Sequence, residues 1–188
     1  MAVSNRKYDD EYIKIQIKYK DPFDFQLMYQ SMWYWCQNEG YEAKNGNSGK
    51  GGGFDNFETV YRERHYVGFS ELWCNWEMRK KLNKYIMHDM EVRIQILGKA
   101  KTEVVIDGKK QKMDTGELVI EIEGKIVFDK KFEEDWKNNL YTKFPFNIIK
   151  KIFKIRTIKD TLDYWEDKSF AKHHSLADAL KKAIGMKL

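Results

Sequence analysis

Four histidines, two cysteines and one glycine-rich stretch hold most of the residues from which chemistry would have to come. Glu63 and His65 stand two apart in ETVYRERHYVG, so on a strand they share a face, and a Glu–His pair can position a general base. Arg62 and Arg64 fall on the other face, and charge alternating along a strand more often marks a solvated or edge surface. His88 is followed by Asp89, and His173 by His174, with no spacing of the HExxH or paired CxxC kind that holds zinc. On a helix His173 and His174 point about 100° apart and do not share a metal easily. Gly46 to Gly53 reads GNSGKGGG. A phosphate loop needs Ser or Thr after its lysine and a strand-to-helix setting, but Lys50 precedes Gly51 and the stretch follows a helix and precedes a strand, so it reads as a connector. There is no GxSxG, and neither Cys36 nor Cys74 has a histidine nearby in sequence to activate it. No catalytic residue, metal or cofactor is expected, and an enzyme ranks last among the readings.

The elements that must position any site are more legible. Tyr12 to Lys20 (YIKIQIKYK) alternates Ile13, Ile15, Ile17 and Tyr19 with polar residues, the period of a half-buried strand. Asp21-Pro22 predicts a helix from Pro22 to about Glu39, with Asp21 as N-cap and Gly40 as its stop. Residues 43–53 read as a flexible loop. Strands follow: Glu58 to Gly68, then the row Leu72, Cys74, Trp76, Met78, then Met90, Val92, Ile94, Ile96. KKLNK (Lys80 to Lys84), Gly98 and Glu123-Gly124-Lys125 read as turns. Asp107-Gly108 is a hairpin signal, because a type I′ turn needs positive φ at both central residues. In the WCNW stretch Trp76 shares a face with Cys74 and Trp73 with Asn75, so one Trp belongs to the core and the other to the opposite face. From Lys131 the period turns helical: Glu133 to Tyr141, Phe146 to about Lys172, and a last helix started by Ser175 and ended by Gly185. The fold class is α+β, a curved antiparallel sheet of about six to seven strands packed against an N-terminal helix and C-terminal helices, in one domain spanning 1–188, with 131–188 its helical segment.

With 188 residues, 42% of them hydrophobic and 15% aromatic, the chain has apolar material for a real core, which argues against disorder. No run approaches a membrane span. Two cysteines without framework spacing, and an opening MAVSNRKYDDEY without an apolar core, lead to the expectation of a cytoplasmic protein with reduced thiols. The net charge of +5 is modest, but its distribution is uneven. Lys143, Lys150, Lys151, Lys154, Arg156 and Lys159 lie in a stretch with no acid, just after an acidic one. NIIKKIFKIRTIK (Asn147 to Lys159) is amphipathic and basic, suited either to the core, with its lysines solvated, or to an anionic membrane, an acidic partner or nucleic acid.

The order of elements, with YIKIQIKYK leading directly into DPFDFQLMYQSMWYW and a long helical segment after the strands, resembles the START and polyketide-cyclase-like superfamily, the helix-grip fold. That resemblance implies a curved antiparallel sheet wrapped around a C-terminal helix, with a small hydrophobic ligand held between them. The inward apolar residues that would line such a site are Trp76, Met78, Met90, Val92, Ile94, Ile152, Phe153 and Trp165. The resulting expectation is a non-enzymatic binding module for a small hydrophobic ligand. The alternative is an interaction or structural protein that self-associates, or that docks through its basic helix on a membrane surface, an acidic partner or nucleic acid.

Overall fold

The computed structural model describes residues 13–44, 57–84, 86–106, 108–128 and 147–186. It is an α+β fold with strands β1 (Ile13–Tyr19), β2 (Glu42–Ala43), β3 (Glu58–His65), β4 (Ser70–Lys81), β5 (Ile86–Ile106) and β6 (Lys109–Phe128) and helices α1 (Phe25–Glu39) and α2 (Asn147–Ala183). The strands form one antiparallel sheet in the order β1-β6-β5-β4-β2, with β3 also pairing with β4.

Strand alternation turns the sequence pattern into two faces. On one face the register aligns Ile15, Ile122, Val92 and Trp76 in a row across the sheet, and Ile17, Ile120, Ile94 and Cys74 in the next. Met28, Met32 and Cys36 of α1, one helical turn apart, and Leu176, Leu180 and Ile184 near the end of α2 are buried with these rows in a single core. The opposite face carries Lys14, Gln16, Lys18, Trp73, Asn75, Glu91, Arg93, Gln95, Val119, Glu121 and Glu123.

Several local expectations change. The cap of α1 is Asp24, whose carboxylate accepts from the Leu27 amide at 3.0 Å, not Asp21. Phe23 is fully buried and exchanges backbone hydrogen bonds of 2.8 Å with Asp114, so the segment after Pro22 is tied to β6 before the helix begins. Gly40 does stop α1, in the left-handed region at φ 69°. Ala43, expected in the flexible loop, pairs with Met78 in β2, while the glycine-rich 46–53 lies outside the described residues, as does Glu133 to Tyr141.

Gly98 does not start a turn. It marks a bulge, where the β5–β6 register shifts between Leu97 and Ala100 and the strand continues to Ile106. Nor is Glu123-Gly124-Lys125 a turn, since these three pair with Glu91, Met90 and Asp89 inside β6. Ser175 starts no helix, because α2 runs through it. Gly185 ends the helical region in a Schellman arrangement, its amide donating to Lys182 O at 3.1 Å and the Met186 amide to Lys181 O at 2.9 Å. No described helix is long and apolar enough to cross a membrane.

Candidate ligand site on the open face of the sheet

Two adjacent cross-strand rows line a depression on the open face of the sheet. One row is Trp73, Gln95, Val119 and Lys18, and the next is Asn75, Arg93, Glu121 and Gln16. Together with Val60 of β3 they enclose an open trough of about 460 Å³. Trp73 also borders a smaller hollow of about 180 Å³ with Val60, Arg62 and Arg64, and the Arg64 guanidinium lies 5.5 Å from its ring centroid.

The polar side chains at the floor are held in place. Gln16 donates to Glu121 at 2.8 Å, and Asn75 donates to Glu91 at 3.1 Å. Arg93 pairs with Glu91 at 2.7 Å and with Glu123 at 3.2 Å, and Lys14 bridges Glu123 and Glu121 at 3.0 and 3.3 Å. Burial works to raise the Glu91 pKa, but the hydrogen bond and charge of Arg93 outweigh it and hold the carboxyl below its ordinary value. Lys18 has no ion-pair partner among the described residues. The trough therefore offers one aromatic surface, amides, a fixed ion-pair lattice and an uncommitted ammonium.

A second polar cluster lies on the covered face. The Tyr41 hydroxyl is 2.8 Å from His88 Nδ1, and the His88 and His173 rings are 5.0 Å apart. His173 Nδ1 is 2.6 Å from Ser169 O. A carbonyl only accepts, so Nδ1 carries the hydrogen and Nε2 is left with a lone pair. His88 and His173 are 1% and 0% exposed, and neither Nε2 has a hydrogen-bond partner among the described residues. Burial, followed by the neighbouring His173, lowers the His88 pKa to about 3, and burial likewise lowers that of His173. Both imidazoles are neutral at pH 7. Among the described residues no group of three or more His, Cys, Asp and Glu is placed to hold a metal.

Neither cysteine is poised for nucleophilic work. Cys36 is buried with its sulfur 3.4 Å from that of Met78, and burial pushes its thiol pKa well up. Cys74 lies 3.6 Å from a Glu58 oxygen and 3.9 Å from the Tyr29 hydroxyl. Burial and then the Glu58 charge push it up to about 12. Tyr29 itself donates to Glu58 and accepts from Trp76 Nε1 at 3.0 Å. The Glu63–His65 pair does not form a base either: Glu63 accepts from Ser70 at 2.9 Å and pairs with Lys99 at 3.3 Å, while His65 is exposed.

The residues expected to line an apolar site divide. Trp76 packs edge-on against Tyr29 of α1 at 4.9 Å and stacks on Phe57 at 5.6 Å, and Met78 meets Cys36. Met90, Val92 and Ile94 are buried on the same face. Trp165 is half-buried on α2, with Lys168 5.4 Å from its ring. Ile152 and Phe153, with Lys150, Lys151, Lys154, Arg156 and Lys159, fall in the first half of α2, and their side chains lie outside the described part. Lys143 lies outside the described residues altogether. The sequence reading missed the trough, although the alternation Lys14, Gln16, Lys18 and Glu91, Arg93, Gln95 already marked that face. It also missed the pairing of His88 with His173, for which no local signal exists. No protein-family model matches this sequence, and no curated protein does.

Proposed function

We propose that this chain is a non-enzymatic binding module whose ligand, a small polar molecule with a flat or ring-shaped face, lies in the trough over Trp73 and Arg93. The observation that carries this reading is the coincidence of volume and chemistry. About 460 Å³ is within the usual range for small-molecule sites. Trp73 supplies a stacking surface, while Gln16, Asn75, Gln95 and Lys18 supply orienting polar groups. Such a lining suits a sugar or nucleoside better than a lipid.

The element order supports the helix-grip resemblance as part of this proposal, with β1 leading into α1 and the C-terminal part of α2 on the same face of the sheet. An apolar ligand between sheet and helix is the less favoured form, because Trp76 and Met78 are already engaged by α1 and Phe57. The test is amide NMR of the full chain titrated with soluble oligosaccharides and nucleosides. Saturable shifts at Gln95, Val119 and Asn75 are expected, and they should be lost in Trp73→Ala. No saturable shift with any probe, or shifts confined to Trp165 and the α2 side, would overturn the assignment.

A second reading, association between copies, draws on one observation: Tyr66, Val67 and Phe69 are exposed in the turn from β3 into β4, with the Tyr66 and Phe69 rings stacked at 4.9 Å. Light scattering across protein concentration tests it, since a constant monomer mass excludes it.

A further inference from the structure

We infer that His88 and His173 form an acid-sensitive latch that holds the C-terminal half of α2 on the sheet and releases it while the sheet stays folded. The two imidazoles come from different elements, His88 from β5 and His173 from α2, and meet over Gly124 of β6. Each ring is fixed at Nδ1, by the Tyr41 hydroxyl and by Ser169 O respectively. Both Nε2 atoms therefore point into the same closed space. A proton added at His173 Nε2 creates an N–H⁺ that has no hydrogen-bond partner among the described residues in the docked geometry, and charging both rings places like charges together out of water. Separation of α2 from the sheet relieves both penalties at once.

The surroundings set the sign. Lys80 of β4, the register partner of His88, opposes its protonation. Asp89 of β5 favours it, but Asp89 is committed to Arg79 at 2.5 and 2.8 Å. His174 opposes the charging of His173. Lys172 is paired with Glu39 of α1 at 2.6 Å, and Lys80 also reaches Glu39. Lys125 of β6 is the register partner of Asp89. Tyr41 is neutral, its ionisation opposed by burial. Among the described residues no carboxylate hydrogen-bonds to either imidazole.

Against the latch stand the apolar anchors Leu176, Leu180 and Ile184 and the 3.2 Å bond from Trp35 Nε1 to Ser175. A released imidazole titrates near pH 6.5, so at pH 4.5 a ring kept neutral while docked favours the open form by up to roughly a hundredfold, which sets a ceiling of about ten thousandfold for the pair. A bias of about that size moves a two-state equilibrium from 1:99 to 99:1. One histidine alone falls short of that span.

The experiment is hydrogen exchange by mass spectrometry on the full chain at pH 7.0 and 4.5, corrected for intrinsic exchange rates. Segments within 163–186 are expected to lose at least tenfold protection at pH 4.5, while β5 and β6 keep theirs. In a His88→Asn/His173→Asn double variant, which retains polar groups at the two Nδ1 positions, the two profiles should coincide. Imidazole ¹⁵N NMR of the unaltered protein gives an independent reading: both rings should stay neutral until exchange of α2 accelerates, and then titrate together. Unchanged α2 protection at pH 4.5, simultaneous opening of β5–β6, or selective release that persists in the double variant would each overturn the latch. So would titration of either ring near pH 6.5 with α2 still docked.

Discussion

The imidazole of His173 occupies the space that a side chain on Gly124 would need. A Cβ built on Gly124 overlaps His173 Nε2 and comes within 3.0 Å of His88 Nε2. Gly124→Ala must therefore displace α2 or force both rings from their hydrogen bonds. Overpacking of this kind costs about 1–3 kcal/mol, and urea denaturation should show a loss in that range. His173→Ala in the same chain should recover part of it, because the two positions share one clash. A neutral Gly124→Ala would mean that the ring is not seated there.

The N-cap of α1 gives a sharper contrast. Asp24 accepts from the Leu27 amide, so Asp24→Ala should cost about 1 kcal/mol, as cap removals do. Asp21→Ala, at the position an Asp-Pro pair would favour, should change the urea midpoint negligibly. The reverse order would restore the sequence-based start of the helix.

These two cases also show what could be read from the chain alone. The alternation through Leu72, Cys74, Trp76 and Met78 and through Met90, Val92, Ile94 and Ile96 fixed which face is buried, and the assignment of Trp73 and Trp76 to opposite faces followed from it. Each misreading came from a residue whose role is set by a distant partner. Phe23 is pinned by Asp114, which moves the helix cap three residues, from Asp21 to Asp24. Gly124 is small because His173 sits on it, not because the chain turns. Ser175 hydrogen-bonds Trp35 instead of capping a helix. The trough needed the register as well as the pattern, since its two rows draw on four strands.

The cysteines should be silent in the folded protein. Burial disfavours both thiolates, and the thiolate is the reactive form. At pH 8 a thiol reagent such as iodoacetamide should label neither Cys36 nor Cys74 on the timescale that labels both in denaturant. Prompt labelling of Cys74 in the native state would show that its contact with Glu58 and Tyr29 opens readily.

Overall stability should depend on pH through His88. Its native pKa is about 3, against about 6.5 in an unfolded chain. Between those values the unfolded state binds more protons, so the contribution is complete above pH 6.5 and is lost as pH falls toward 3. The urea midpoint should decline from pH 7 to pH 4, and His88→Asn should flatten that decline. Glu91 also has a lowered native pKa, so its contribution is present above the ordinary carboxylate range and lost below it. That leaves the interval from pH 6.5 to 5 as the window that reports the imidazoles.

Trp73 and Trp76 separate binding from folding. Trp76 is fully buried against Tyr29 and Phe57, and Trp76→Ala should cost about 3–5 kcal/mol, the range for removing a large core aromatic. Trp73 stands half-buried on the other face between two hollows, with its outward neighbours Val60 and Arg64 exposed. Trp73→Ala should lower stability by no more than about 1 kcal/mol while abolishing the saturable shifts at Gln95 and Val119. If Trp73→Ala instead destabilises as much as Trp76→Ala, the ring is a second packing centre and the open face is a structural surface. If binding survives Trp73→Ala but fails in Trp165→Ala, the ligand lies on the helical side of the sheet.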